Sequence, residues 1–394
     1  MNRRFYLKSA AIAGIGMAVN PSGVLGKAIS TRNQSFKKDF VSIGFIGVGN
    51  RGRGLLNLIL KEKGVRVPAI CDVNPDAIIK AQQGLRDNGQ KNADTYIKDE
   101  YSWKKLLERK DIDGVVIATT WDWLVPIALG AMLAQKYVGL EVPAALTLED
   151  CWELVDTHEK TGTNMMFLEN CCYDRECMAV LQMVREGLFG KPSHATCGYR
   201  HSSYGSPGWL DSNIDLTNKP TKKNHEFSLL KNADQYPTHG VGPVANWLDI
   251  NCGNRFLYLT STSTTANTIP DYVQNHPKGG PEHPNAKRNW KQGDIITTVV
   301  KTYRGETVMI NYDNFLPRPY SRDYSLQGTN TVWSGLYLKR GIYVHDKSSS
   351  HQWETGEKYD KYMKEYDHPL WKNFLKQHKI YDMAESILYD ESIL

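Results

Sequence analysis

Two groups of residues in this 394-residue chain have the types and spacing that chemistry requires. The first is Gly47, Gly49 and Gly52, spaced G-x-G-x-x-G between the apolar run Val41 to Ile46 and a helix-periodic stretch, with Asp72 closing a second apolar run. In such a setting the first glycine permits a tight turn, the second lets backbone approach a pyrophosphate, and the third lets helix pack closely on strand. Free N–H groups at the start of the helix face the phosphates. Asp72 would accept hydrogen bonds from ribose hydroxyls and repel a 2′-phosphate, so the pattern reads as a site for NAD rather than NADP. The second group is the run Tyr236-Pro237-Thr238-His239-Gly240, which follows a polar stretch and opens an apolar helix. His239 is the leading candidate for a base that takes a hydroxyl proton. Tyr173, Tyr199 and Tyr320 are candidates for substrate hydrogen bonding or proton transfer; a phenol needs a neighbour's help to act as a base at neutral pH.

These residues need a scaffold, and the pattern from Val41 to about Leu168 supplies one. Strands are expected at 41–46, 66–71, 113–118, 136–141 and 164–168, with helices near 52–63, 75–87, 100–109, 124–134 and 148–161. The alternation means βαβ units and a parallel sheet. Three turns at the ends of its apolar runs carry polar or aromatic residues: Trp121-Asp122-Trp123, Glu141-Val142-Pro143 and Leu168-Glu169-Asn170. Carboxyl ends of such strands deliver side chains to a cofactor. Beyond Asn170 an amphipathic helix is expected over 173–188, a long polar loop over about 201–235, and a helix from His239 to near Ile250. Strands at 255–264, 294–303, 306–314 and 322–329 follow, rich in β-branched and aromatic residues. The fold class is therefore α/β: a Rossmann dinucleotide-binding domain over 38–168, then an α+β domain over 169–394 with an open, mostly antiparallel sheet.

Composition limits the partners. Hydrophobic content of 41% and charged content of 23% are ordinary for a globular chain. Arg3, Arg4, Lys8 and Lys27 supply most of the net charge of +5, so nucleic acid is not an implied partner. Residues 1–30 look like a twin-arginine export signal, with Arg3-Arg4-Phe5-Tyr6-Leu7-Lys8 before a small, mildly apolar run, which places the protein in the periplasm or outside the cell. That run is too short to span a bilayer, and no membrane span is expected once the signal is removed. The cysteines at 71, 151, 171, 172, 177, 197 and 252 form no C-x-x-C pair; they read as buried thiols, and no metal is expected.

Six motifs in order resemble the glycoside hydrolase family 109 alpha-N-acetylgalactosaminidases, of the glucose-fructose oxidoreductase and inositol dehydrogenase superfamily. They are Gly47-Val48-Gly49-Asn50-Arg51-Gly52, Glu141-Val142-Pro143-Ala144-Ala145-Leu146, Leu168-Glu169-Asn170, Cys172-Tyr173, Tyr236-Pro237-Thr238-His239-Gly240 and Arg318-Pro319-Tyr320-Ser321-Arg322. The resemblance implies a redox-neutral glycosidase with retained NAD, acting on glycans that end in N-acetylgalactosamine. The sugar would be oxidised at C3, lose its C2 proton and C1 substituent, add water and be reduced again. Such a route needs no close Asp/Glu pair. By the same resemblance Asn50, Arg51, Asp72, Trp121, Asp122, Trp123, Glu141, Val142 and Asn170 contact NAD. Tyr199, Tyr236, His239 and Tyr320 line the sugar site, with His239 as acid/base at the C3 hydroxyl and Tyr199 as a proton-transfer residue.

The chain departs from the family in three places. Leu124 stands where the family has histidine, Asn224 falls nearest an expected substrate arginine, and the sequence stops several dozen residues early after His368-Pro369-Leu370-Trp371. Superfamily dehydrogenases usually present Glu-Lys-Pro where this chain has Glu141-Val142-Pro143, which points away from ordinary dehydrogenation. The alternatives are a sugar oxidoreductase, a glycosidase for another N-acetylhexosamine, or a non-catalytic sugar-binding protein. A homodimer through the open sheet is a further expectation.

Overall fold

The computed structural model describes residues 40–201, 223–313, 315–335 and 340–378. The expected export signal, most of the polar loop after His201, the side chain of Asn224 and the terminal segment lie outside the described residues. In chain order the first half runs β1 (Val41–Ile46), α1 (Asn50–Ile59), β2 (Val65–Cys71), α2 (Pro75–Asp87), β3 (Asp94–Tyr96), α3 (Trp103–Leu107), β4 (Gly114–Ile117), α4 (Trp121–Leu133), β5 (Tyr137–Leu140), α5 (Leu148–Thr161) and β6 (Met165–Phe167). The sheet order is β3-β2-β1-β4-β5-β6, the dinucleotide-binding topology whose order reverses between β1 and β4. The β1/β4, β2/β3, β4/β5 and β5/β6 pairs are parallel. Strands β1 and β4 are buried almost throughout because each face is covered by an apolar cluster. Leu124 is part of one cluster, only 1% exposed, so a polar residue there would lie in the core.

The second half runs through a 3-10 turn (Asn170–Tyr173), α6 (Arg175–Arg185), β7 (Pro192–Arg200), α7 (Lys223–Leu230), α8 (Thr238–Trp247), β8 (Phe256–Ser263), α9 (Thr268–Asn275), β9 (Ile295–Thr302), β10 (Thr307–Asp313), β11 (Ser325–Gly328), β12 (Thr331–Ser334), β13 (Gly341–Val344), α10 (Glu357–Glu365) and α11 (Pro369–His378). Its sheet is ordered β13-β12-β11-β7-β10-β9-β8 and is mostly antiparallel, with β7 and β10 parallel. One face is closed by α6, α8 and α10, where Trp247, Trp333 and Tyr324 meet edge to face.

Strand β7 lies at the centre of this sheet, yet only helix 173–188 and the later strands are legible beforehand. Its sequence PSHATCGYR buries Ala195, Cys197 and Gly198, small residues with little hydropathic signal. α8 lies close on this strand, since a Cβ on Gly240 would stand 2.9 Å from Gly198 N, and β10 presses from the side, since a Cβ on Gly198 would meet Asn311 O at 2.3 Å. β3, β12 and β13 were too short to register as alternating patterns, and α7 occupies part of the expected 201–235 loop. No helix among the described residues is long and apolar enough to cross a membrane.

The glycine turn has the same stringency. Gly47 has φ +85, and a Cβ there would meet Ala118 O at 2.5 Å, whereas one on Gly52 would meet Gly47 O at 2.0 Å. Gly52→Ala should therefore lower stability by about 1–3 kcal/mol or prevent folding, while Gly49→Ala, whose Cβ meets nothing within 4 Å, should leave the melting temperature within error. Equal melting temperatures for the two variants would contradict this account of the turn.

Candidate functional site

The Rossmann end of the site is built by the chain ends of β1, β2, β4, β5 and β6. Gly49 caps α1 with no side chain on its leading N–H groups, and the space a Cβ would fill is open. Those are the features of a phosphate cradle. Asp72 accepts Val48 N (2.7 Å) on one oxygen and Asn74 N (2.8 Å) on the other, which ties the end of β2 to the glycine turn. Asn50 is exposed at the turn, its amide oxygen accepting from Arg53 (3.2 Å). Arg51 reaches across to Glu141 (2.7 Å) and Asn170 (3.5 Å), joining three of the residues assigned to the cofactor. Glu141 follows β5 and is 4% exposed. Burial raises its pKa, and the Arg51 charge and hydrogen bond oppose that rise. Val142, next in the turn, is buried.

The W-x-W turn divides. Trp121 stacks on Tyr236 (5.9 Å between centroids) and on Phe227 of α7 (5.5 Å), whereas Trp123 meets Tyr101 edge to face at 5.3 Å. Asp122 lies between them in the first turn of α4.

Four residues expected at the sugar come together from three separate stretches of the chain. Tyr199, near the end of β7, contacts the rings of Tyr236 (4.8 Å), His239 (5.5 Å) and Tyr320 (5.9 Å), and Tyr236 meets His239 at 5.0 Å. His201 extends the cluster, 5.3 Å from Tyr320. Tyr173 does not join it: 48% exposed, it contributes its carbonyl to Trp371 instead. Desolvation pushes Tyr199 up to about 12 and Tyr236 and Tyr320 well above the ordinary tyrosine range, so all three rest as phenols.

His239 is held by a residue that sequence reasoning quoted without assigning it a role. Glu169, directly after β6 and Leu168, faces His239 Nδ1 at 2.7 Å and accepts Cys171 N at 3.0 Å on the same oxygen. Burial alone would raise the Glu169 pKa; its hydrogen bond and charge interaction with His239 and the bonds from Cys171 more than offset this, leaving it below the ordinary carboxylate value. An ionised carboxylate only accepts, so Nδ1 donates and Nε2 of the neutral ring carries the lone pair. Two glycines permit the geometry: a Cβ on Gly242 would lie 2.8 Å from Cys172 Sγ and 2.9 Å from Glu169 Cγ, and Gly240 rides on β7. Tyr324 donates from below to the His239 carbonyl.

Three further residues belong to the site's frame and were not anticipated. Arg322 donates to the Tyr320 hydroxyl (2.8 Å) and pairs with Asp174, both charges buried. Asp234 accepts Tyr236 N at 2.9 Å and fixes the entry to α8; desolvation, opposed by that bond, pushes it up to about 6. The signals available were an acid beside Asn170 for Glu169 and the repeated arginines of R-P-Y-S-R for Arg322. Their partners are 70 and 148 residues away, beyond any local pattern.

Comparison with known proteins follows the same division. Residues 41–168 match the oxidoreductase family's NAD-binding Rossmann fold, and residues 173–381 match the C-terminal domain of glycosyl hydrolase 109. An alpha-N-acetylgalactosaminidase from Tannerella forsythia is 39% identical over 94% of this chain and 82% of its own length. A glycosyl hydrolase family 109 protein from Stenotrophomonas maltophilia is 40% identical over 84% of this chain and 74% of its own. Among solved structures, a levoglucosan dehydrogenase complex with NADH and levoglucosan superposes with TM-score 0.59 at 18% identity, covering 80% of each chain. Myo-inositol dehydrogenase from Lactobacillus casei, in complex with NAD(H) and myo-inositol, superposes with TM-score 0.55 at 17% identity, covering 83% of each. At that identity these two share the fold.

Asp234 generates a pH prediction. Its folded pKa lies above the unfolded value, so the native state gives up its proton later and loses stability as pH rises from about 4 to about 6. Asp234→Asn should remove that loss: the melting-temperature difference, variant minus wild type, should increase across this window. A difference that stays flat with pH would contradict the burial assigned to Asp234.

Proposed function

This chain belongs to the glycosyl hydrolase 109 family and carries a glycosidase on an NAD-binding oxidoreductase fold, and from that premise we propose that it removes terminal alpha-linked N-acetylgalactosamine without net redox change. The observation that carries the reading is the buried Glu169–His239 pair set among Tyr199, Tyr236 and Tyr320, beside the Arg51–Glu141–Asn170 group. A direct displacement at the anomeric carbon needs two carboxyls flanking the glycosidic bond. Here Glu169 is committed to His239 and Glu141 to Arg51.

The residues at the glycine turn fit NAD. Gly49 leaves the cradle open, the uncapped start of α1 faces it, and Asp72 stands at the end of β2. Asn50, Arg51, Trp121, Asp122, Trp123, Glu141, Val142 and Asn170 would complete the contacts. When bound, NAD supplies reversible hydride acceptance at C3 of the sugar, which acidifies the C2 proton and opens an elimination and water-addition route.

The protein's own part is proton handling. His239 Nε2 takes the C3 hydroxyl proton, while Glu169 fixes the tautomer and stabilises the imidazolium that forms. Tyr199 rests as a phenol, so it donates a hydrogen bond to the sugar. Tyr236 and Tyr320 bind sugar hydroxyls, and Trp121 walls the site on the Rossmann side through its stack on Tyr236. The family assignment on Tannerella forsythia's enzyme supports the sugar, and the Arg3-Arg4 leader supports export by the twin-arginine route as part of the same proposal.

The test is hydrolysis of p-nitrophenyl alpha-N-acetylgalactosaminide in deuterium oxide by folded, NAD-loaded protein. Released sugar should carry deuterium at C2. Release without deuterium would overturn the elimination route, and no release would overturn the alpha-N-acetylgalactosaminide assignment. In the same assay His239→Ala and Glu169→Gln should each lower kcat by about 10²–10⁴ with a smaller change in KM. Wild-type turnover in Glu169→Gln would remove the carboxylate from the mechanism.

A further inference from the structure

The side of His239 bonded to Glu169 also brings up a thiol, Cys171 Sγ, that the proposed reaction does not use. A ring nitrogen of His239, a carboxylate oxygen of Glu169 and Sγ of Cys171 all lie within 4.8 Å of one another. The three residues are 8%, 4% and 0% exposed. Glu169 Oε1 carries both the His239 and Cys171 N–H contacts, while Oε2 is buried and has no hydrogen-bond partner among the described residues. A thiol, an imidazole and a carboxylate with an uncommitted oxygen form a donor set suited to zinc. The spacing of the cysteines alone conceals it, because the histidine is 70 residues from Glu169 along the chain.

We propose that Glu169, Cys171 and His239 form an inhibitory site for a divalent zinc ion. Zinc with one thiolate, one carboxylate and a neutral imidazole is uncharged overall, the state that costs least to bury. Ligand bonds of about 2.0–2.3 Å put neighbouring nitrogen and oxygen ligands about 3.3 Å apart, so the 2.7 Å His239–Glu169 contact opens by well under an ångström. Binding releases the Cys171 thiol proton to solvent, and the imidazole proton moves from Nδ1 to Nε2. No electron is transferred. A zinc ion on Nδ1 thereby leaves Nε2 protonated, and an N–H there cannot accept a hydroxyl proton. Metal binding is independent of the proposed reaction; the inhibition rests on that reading of His239.

The test uses chelator-treated, NAD-containing protein in which the exposed Cys151 and Cys252 are serine, so that no exposed thiol remains. Cobalt(II) is titrated as a spectroscopic substitute, and zinc is then used to displace it. One equivalent of cobalt should give a thiolate-to-cobalt charge-transfer band that zinc abolishes. Cys171→Ala should lose the band and be inhibited by zinc at least tenfold more weakly, each activity taken relative to the same variant without zinc. Absence of the band in the parent, or equal zinc inhibition of parent and Cys171→Ala, would overturn the site. Should Cys171→Ala fail to fold, His239→Ala takes its place in the titration, and a band that survives there overturns the proposal. A band with no glycosidase activity in metal-free protein would leave the metal site standing and count against the proposed function.

Discussion

The hydrogen bond between Glu169 and His239 is the constraint on which the site depends. It joins the last strand of the parallel sheet to the first turn of α8, which packs on the centre of the second sheet. A buried carboxylate is costly unless its charge is answered, and here the imidazole and the Cys171 N–H answer it. Close approach is the condition for that answer. Gly240 and Gly242 let α8 lie against β7 on one side and against the Glu169 turn on the other, at distances no side chain would tolerate. Packing, fold and proton chemistry thus rest on one short stretch, Thr238 to Gly242.

Two buried carboxylates near one histidine take different parts because their partners differ. Glu141 answers Arg51 from the nucleotide side, and burial keeps its pKa up. Glu169 answers His239, and its pKa is held down. The aromatic cluster lines the space alongside them, with the Arg322–Asp174 pair beneath Tyr320 fixing the direction of that phenol. Since an arginine only donates, the Tyr320 hydroxyl accepts from it and turns its own proton elsewhere.

Much of the fold was legible because its signals are local. β1, α2 and α5 carry full periodic patterns, and α5 opens with the Thr147–Asp150 capping box. The glycine turn was legible residue by residue, down to which glycine touches backbone and which leaves open space. β7 was not, because a central strand overlain by a helix needs small residues in place of an alternating hydrophobic pattern. His239, Tyr199 and Tyr320 stood out by residue type and setting and Tyr236 through motif resemblance, and the structure brings the four together. Trp123 turns to Tyr101, away from the face where Trp121 meets Tyr236. Glu169 and Arg322 stood inside quoted motifs without roles, since what gives them roles is a partner far along the chain.

The most direct measurement of the central claim is nitrogen-15 NMR of histidine-labelled protein, with the His239 signals assigned by comparison with His239→Ala. Neutral His239 should be protonated at Nδ1, with Nε2 as the lone-pair nitrogen, and Glu169→Gln should weaken this preference. A neutral His239 protonated at Nε2 in the wild-type protein would contradict that claim, because the nitrogen turned away from Glu169 could then take no proton.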